Sequence, residues 1–179
     1  MNRILVAGVL AGLAMFVWEA LAHMVGPFGE MGLSALPNEV AMRAALAAQL
    51  GNADGLYFFP YVQMDQMPTP GPSGLLLYHP QFAFSWAIMG WEALVELIMG
   101  LALAMLIGLA NVASFGRRMT IACLVGIAAA FAVSPSYTIW FGFPSAYTLS
   151  QMIVAFGDYV VGGLVIAALL RRTAGAPAG

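Results

Sequence analysis

The sequence predicts an all-α membrane protein, a bundle of four transmembrane helices with a small extracytoplasmic cap between the first and second. Three observations predict it. Of the 179 residues, 62% are hydrophobic and 8% are charged, whereas a soluble domain carries about 25% charged residues. The mean hydropathy is +0.90. Four apolar runs each reach the roughly 20 residues that a helix needs to cross a bilayer core. The chain reads as a single integral membrane domain, with spans near 4–25, 82–113, 119–141 and 147–170 and a cap over 27–81.

The first span follows Arg3 and carries Gly8 and Gly12, a GxxxG pair that permits close helix approach. Its end, Ala20-Leu21-Ala22, has the small-x-small form of a signal-peptide cleavage site. The length of the run and Glu19 just before the cut favour a retained span. The 27–81 segment is too short for a core of its own and is expected to fold onto the helix ends. Within it, Leu36-Pro37-Asn38-Glu39 starts a short helix with Asn38 as cap, and Gly51 stops it. The aromatic run Tyr57-Phe58-Phe59-Pro60-Tyr61 and the run Gly74–His79 flank a turn rich in Pro and Gly. They either pair as a hairpin or form an interfacial aromatic belt, and the abundance of aromatics favours the belt. The second run is longer than a straight span needs, so it tilts or stands proud of the membrane. The third carries a stripe of Gly126, Ala130, Ser134 and Tyr137. The fourth carries Gln151, Asp158 and Gly162.

Arginine sets the orientation, since lysine is absent. With an even number of spans, Arg3, Arg117, Arg118, Arg171 and Arg172 fall on one side and Arg43 on the other. The positive-inside rule then places both termini in the cytoplasm and the 27–81 segment outside. No basic patch exists for a nucleic acid. The single Cys123 excludes an internal disulfide and a cysteine zinc site. No GxGxxG or Walker A pattern occurs, so no nucleotide is expected. Only His23 of the two histidines lies in a span, so no six-coordinate haem is expected either. Met64 and Met67 form too sparse a thioether set for copper and read as loop packing.

The most informative residues are ionisable ones inside the spans: Glu19, His23, Glu92, Glu96 and Asp158. Each costs about 2.5–3.5 kcal/mol on insertion scales, so it must face a partner or a cavity. Glu19 and His23 are four apart and share a helix face; Met89, Glu92, Glu96 and Met99 form a second stripe. With Ser134 and Tyr137 these stripes are expected to line one cavity that opens outward. Three uses of this cluster follow. Carboxylates with an imidazole on facing helices suit a metal, although di-metal bundles place His three residues after Glu, twice, and here the spacing is four, once. Carboxylates crowded in low dielectric cannot all hold charge, so they suit a proton-coupled or cation-binding carrier. Interhelical polar bonds that only fix register are the structural alternative.

With its four spans, the Leu36-Pro37-Asn38-Glu39 loop and Tyr57-Phe58-Phe59-Pro60, the chain resembles uncharacterised bacterial four-span inner-membrane proteins. Its loop placement is also similar to that of the anthrone-oxygenase-like four-helix family, with no motif that maps residue by residue. The resemblance implies a bacterial-type inner membrane. Small soluble mass and small-residue stripes point to a non-catalytic accessory subunit with a membrane-protein partner or a second copy of itself. A metal-dependent oxidoreductase or oxygenase and a small cation carrier are the alternatives.

Overall fold

The computed structural model describes residues 2–63, 65–67 and 69–170, so Arg171, Arg172 and Met64 lie outside the described residues. The chain is mostly helical. Helix α1 spans Asn2–Met24 and is followed by a 3₁₀ turn at Pro27–Gly29. Helix α2 spans Glu39–Leu50, and strands β1 (Gly55–Phe59) and β2 (Gly74–Tyr78) follow. Helices α3 (Trp86–Leu109), α4 (Phe115–Ala132), α5 (Ser134–Phe141) and α6 (Ser145–Leu169) complete it. Four helical stretches are long and apolar enough to cross a membrane: α1 with 23 residues, α3 with 24, α4 and α5 together with 27, and α6 with 25.

Small residues dictate how these helices pack. The helices lie in the order α3–α1–α6–α4: α1 packs closely on both α3 and α6, and α4 packs on α6. Helices α3 and α4 meet at few points. Gly8 and Gly12 of α1 face Gly100 of α3 across the first seam. A methyl group at Gly12 would stand 2.7 Å from both the Glu96 carbonyl oxygen and the Leu97 Cα. The α1–α6 seam is a set of knobs in glycine holes, with Met15 over Gly162 and the Trp18 indole over Gly157. On the α4–α6 seam Ala122 fills the hole at Gly163, while Tyr159 and Phe156 close on Gly126. Apolar packing then seals the half of the bundle near the termini, with Ala7, Ala11, Met15, Leu103, Ala104, Ile107, Ala122 and Ile166 as its core.

Arginine serves that same end. Arg3 donates to the Leu169 carbonyl at 3.3 Å. Arg118, named from the sequence as an orientation charge, is buried; it donates to the Val112 carbonyl at 3.0 Å and the Ala167 carbonyl at 3.3 Å. Both satisfy carbonyls at the last turn of α6, where positive charge also complements the helix dipole.

Three expectations need correction. The third span is not one helix. It breaks at Val133 (φ −126°, ψ −51°), because Pro135 in the first turn of α5 has no N–H to continue the ladder. Next, the two apolar runs of the 27–81 connection are an antiparallel hairpin rather than only an aromatic belt, with Leu56 opposite Leu77 and Phe58 opposite Leu75. The fold is therefore all-α apart from this two-stranded sheet. Finally, the second span begins at Trp86, four residues after the expected start, so α3 has an ordinary spanning length. Helix α2 starts where its cap predicts: the Asn38 side chain accepts from the Ala41 N–H at 3.1 Å, and Gly51, at φ 55°, ends it. The 3₁₀ turn and Gly32 rest on the start of α6, and Phe58 of β1 stacks edge-on against Phe141 at 6.3 Å. These parts of the connection touch the end of the bundle opposite Arg3 and Leu169, called the capped end below.

Candidate functional site

Three helices, α1, α3 and α6, each bring a carboxylate to one region: Glu19 from α1, Glu96 from α3 and Asp158 from α6. At 1.5 Å per residue, Glu19 and Glu92 lie about 8 Å and 9 Å from the capped end of their helices, Glu96 about 15 Å and Asp158 about 20 Å. Asp158 is within electrostatic range of Glu96, Glu19 and Glu92, and Glu96 is within range of Glu19 and Glu92. The acids form a file that descends from the capped end toward the middle of the bundle.

Glycine lets Glu96 reach that depth. Its own carbonyl lies against Gly12, so the α3 backbone at Glu96 is pressed onto α1. Asp158 is held on the other side by α1 residues. Trp18 Nε1 donates to the Val154 carbonyl at 3.1 Å, one turn before Asp158, and Met15 fills the notch at Gly162, one turn after it. The side chains of Glu96 and Asp158 are almost fully enclosed, at 3% and 4% exposure. Each nevertheless has a buried carboxyl oxygen with no hydrogen-bond partner, Oε2 of Glu96 and Oδ1 of Asp158. Leaving a buried polar group unmatched costs about 1–3 kcal/mol, and more for a charge. Each group therefore bears a cost that a proton or a cation held at its free oxygen would offset.

The mouth is different. Glu19 and His23 stand one turn apart, with His23 Nδ1 3.4 Å from Glu19 Oε1 and 3.1 Å from the Glu19 carbonyl oxygen. They share a cavity of about 250 Å³ with Phe16, Ile88, Met89 and Glu92. A further cavity of about 500 Å³ adjoins it at His23 and Met24 and runs under the 3₁₀ turn past Glu30. The half-buried mouth residues therefore connect to the capped end, while the two inner acids do not touch that space directly.

Among the described residues, the expected single cavity is divided. Ser134 and Tyr137, which follow the break at Val133, lie with Gln151 in a separate cavity under the hairpin. Helix α4 contributes no acid to the site. The five residues expected as a metal set are not gathered into one shell: among the described residues, no three His, Cys, Asp or Glu side chains stand close enough to hold one ion. The sequence reading named Gly8, Gly12, Gly126 and Gly162 for packing but missed Gly100, Gly157, Met15 and Trp18. Gly100 carried a signal, since it falls four residues after Glu96 on the same face. The chain matches no known protein family, no curated protein and no solved structure.

Proposed function

We propose that this chain is a small multi-pass membrane carrier that takes up a proton, or a small cation in its place, at the carboxyl pair Glu96 and Asp158. The observation that carries this reading is the pair of nearly enclosed carboxyl groups, each with an unmatched oxygen, at the junction of α1, α3 and α6. A proton shared there, or a cation bound there, supplies the missing hydrogen bond and removes the cost of charge in low dielectric. Glu19, His23 and Glu92 act as the antechamber. The apolar core below Met15 and Gly162 closes the way to the other end, as one state of an alternating-access cycle requires. The broken third span adds the kind of irregular helix such cycles move.

The membrane and its orientation belong to the same proposal. Arg3, Arg117 and Arg118 at one end, against Arg43 at the capped end, support a cytoplasmic side for the termini by the positive-inside rule. The resemblance to bacterial four-span proteins supports reading that membrane as an inner membrane, with the 27–81 connection outside.

The test is proton flux into sealed liposomes that contain the purified chain and a pH-sensitive dye. Flux above that of empty liposomes, abolished by Glu96→Gln, supports the carrier; equal flux in the variant contradicts it. The accessory-subunit reading draws on a different observation, the sparse contact between α3 and α4, which leaves a seam for another membrane helix. Extraction in mild detergent decides it: a stoichiometric membrane-protein partner or a stable homo-oligomer supports the subunit, and a lone monomer that carries protons does not.

A further inference from the structure

The cavity under the hairpin is unlike the acid site. It measures about 570 Å³, within the range of roughly 300–1,000 Å³ typical of small-molecule sites. Its roof is one face of the hairpin. Side chains alternate along a strand, so Leu56 and Phe58 of β1 share a face with their cross-strand partners Leu77 and Leu75. Leu56, Leu75 and Leu77 line the cavity, yet Leu56 and Leu77 each remain 64% exposed. An apolar hairpin face that covers a hollow and packs on little is a face waiting for an apolar occupant.

The floor states what else the occupant carries. Ser134, Tyr137 and Gln151 line it, and none of their side chains hydrogen-bonds to the described residues. Thr148 is committed elsewhere, to Thr138. Among the described residues, no Arg, Lys, His, Asp or Glu lines the cavity, so a charged headgroup finds no counter-charge there. One wall is aromatic: Tyr137 stacks on Phe143 at 5.2 Å, and Phe143 meets Tyr147 edge-on at 5.6 Å. Such a wall favours a flat ring.

From this cavity we propose that the chain binds a neutral quinone-type lipid, its carbonyl-bearing ring held by Tyr137, Ser134 and Gln151 and its apolar chain under Leu56, Leu75 and Leu77. The ring oxygens accept from the hydroxyls and the Gln151 amide, and the leucines cover the chain. The site is separate from the acid file and stands or falls independently of the carrier reading.

The experiment is an equilibrium titration of the full-length protein in detergent with decylubiquinone, followed by quenching of intrinsic fluorescence, with decanol and decanoate as competitors. The proposal expects saturable binding of one quinone per chain, weakened about tenfold by Gln151→Leu or Tyr137→Phe, the effect of one lost hydrogen bond. Neither decanol nor decanoate should displace the quinone at equal concentration. Leu77→Trp, on the exposed roof and remote from the bundle core, fills the cavity and should abolish binding even where the floor variants fold poorly. Absence of saturable binding overturns the proposal. So does displacement by decanol together with indifference to Gln151→Leu, which makes the cavity a place for any lipid chain; preferential displacement by decanoate makes the ligand a fatty acid and also overturns it.

Discussion

At the scale of single residues, the account rests on a contrast between polar groups that are matched and polar groups that are not. Trp18 is matched: its indole donates to the Val154 carbonyl at 3.1 Å while its ring fills the hole at Gly157. Trp18→Phe keeps most of the ring and loses the bond, so thermal unfolding in detergent should show a loss of about 1 kcal/mol. Arg118 is matched through two carbonyls and is 5% exposed. Arg118→Leu strands the Val112 carbonyl in the α3–α4 turn and the Ala167 carbonyl at the end of α6, and should cost about 2–3 kcal/mol by the same measurement. Glu96 and Asp158 are unmatched, so Glu96→Gln and Asp158→Asn should leave the unfolding temperature unchanged or raise it while removing proton uptake. A large loss of stability in either variant would mean that the acids hold the fold together and do not serve as a binding site. The sequence made these acids visible, because charge in an apolar run is conspicuous. It did not reveal Trp18 or Met15, since an apolar residue that faces a neighbouring helix is spelled like one that faces lipid.

At the scale of elements, close approach of backbones decides what each helix presents. The Gly8–Gly12 pair was legible from its spacing, but the partner that fits it, Gly100, lay in another run with no marker of the pairing. Gly12→Val should force α3 away from α1 and cost about 1–3 kcal/mol, the usual cost of overpacking, together with loss of the Glu96 site. The readout is thermal unfolding alongside proton uptake. Gly116→Ala, at a position where a methyl group meets nothing within 4 Å, is the matched control and should be silent. The break between α4 and α5 was also written in the sequence as Ser134-Pro135-Ser136. A hydropathy profile passes over one proline without interruption, so a continuous span was expected there, and Ser134 and Tyr137 were assigned to the wrong cavity. The hairpin was weighed and set aside because aromatic strands and aromatic belts share a composition; cross-strand pairing of Leu56 with Leu77 is a long-range fact that composition does not hold.

At the scale of the whole molecule, the order α3–α1–α6–α4 explains why the acid file exists. Only helices in mutual contact can pool their polar faces, and α1, α3 and α6 are in mutual contact while α4 touches chiefly α6. Span number followed directly from the apolar runs. Helix order and rotation did not, because they depend on which small residues meet, and each seam has several candidates. The same arrangement seals the half of the bundle near the termini and leaves the other half hollow. Opening the seal by Ile107→Ala, at a fully enclosed core position, should raise passive proton leak through liposomes as well as cost about 2–5 kcal/mol of stability.

The central claim is that Glu96 and Asp158 take up protons within the bundle. Infrared difference spectroscopy of the purified protein across a pH titration reads this directly, through the C=O stretch of a protonated carboxylic acid. The account predicts a titrating carboxylic-acid band that loses one component in Glu96→Gln and another in Asp158→Asn. A spectrum with no such band, or one unchanged in both variants, would contradict it.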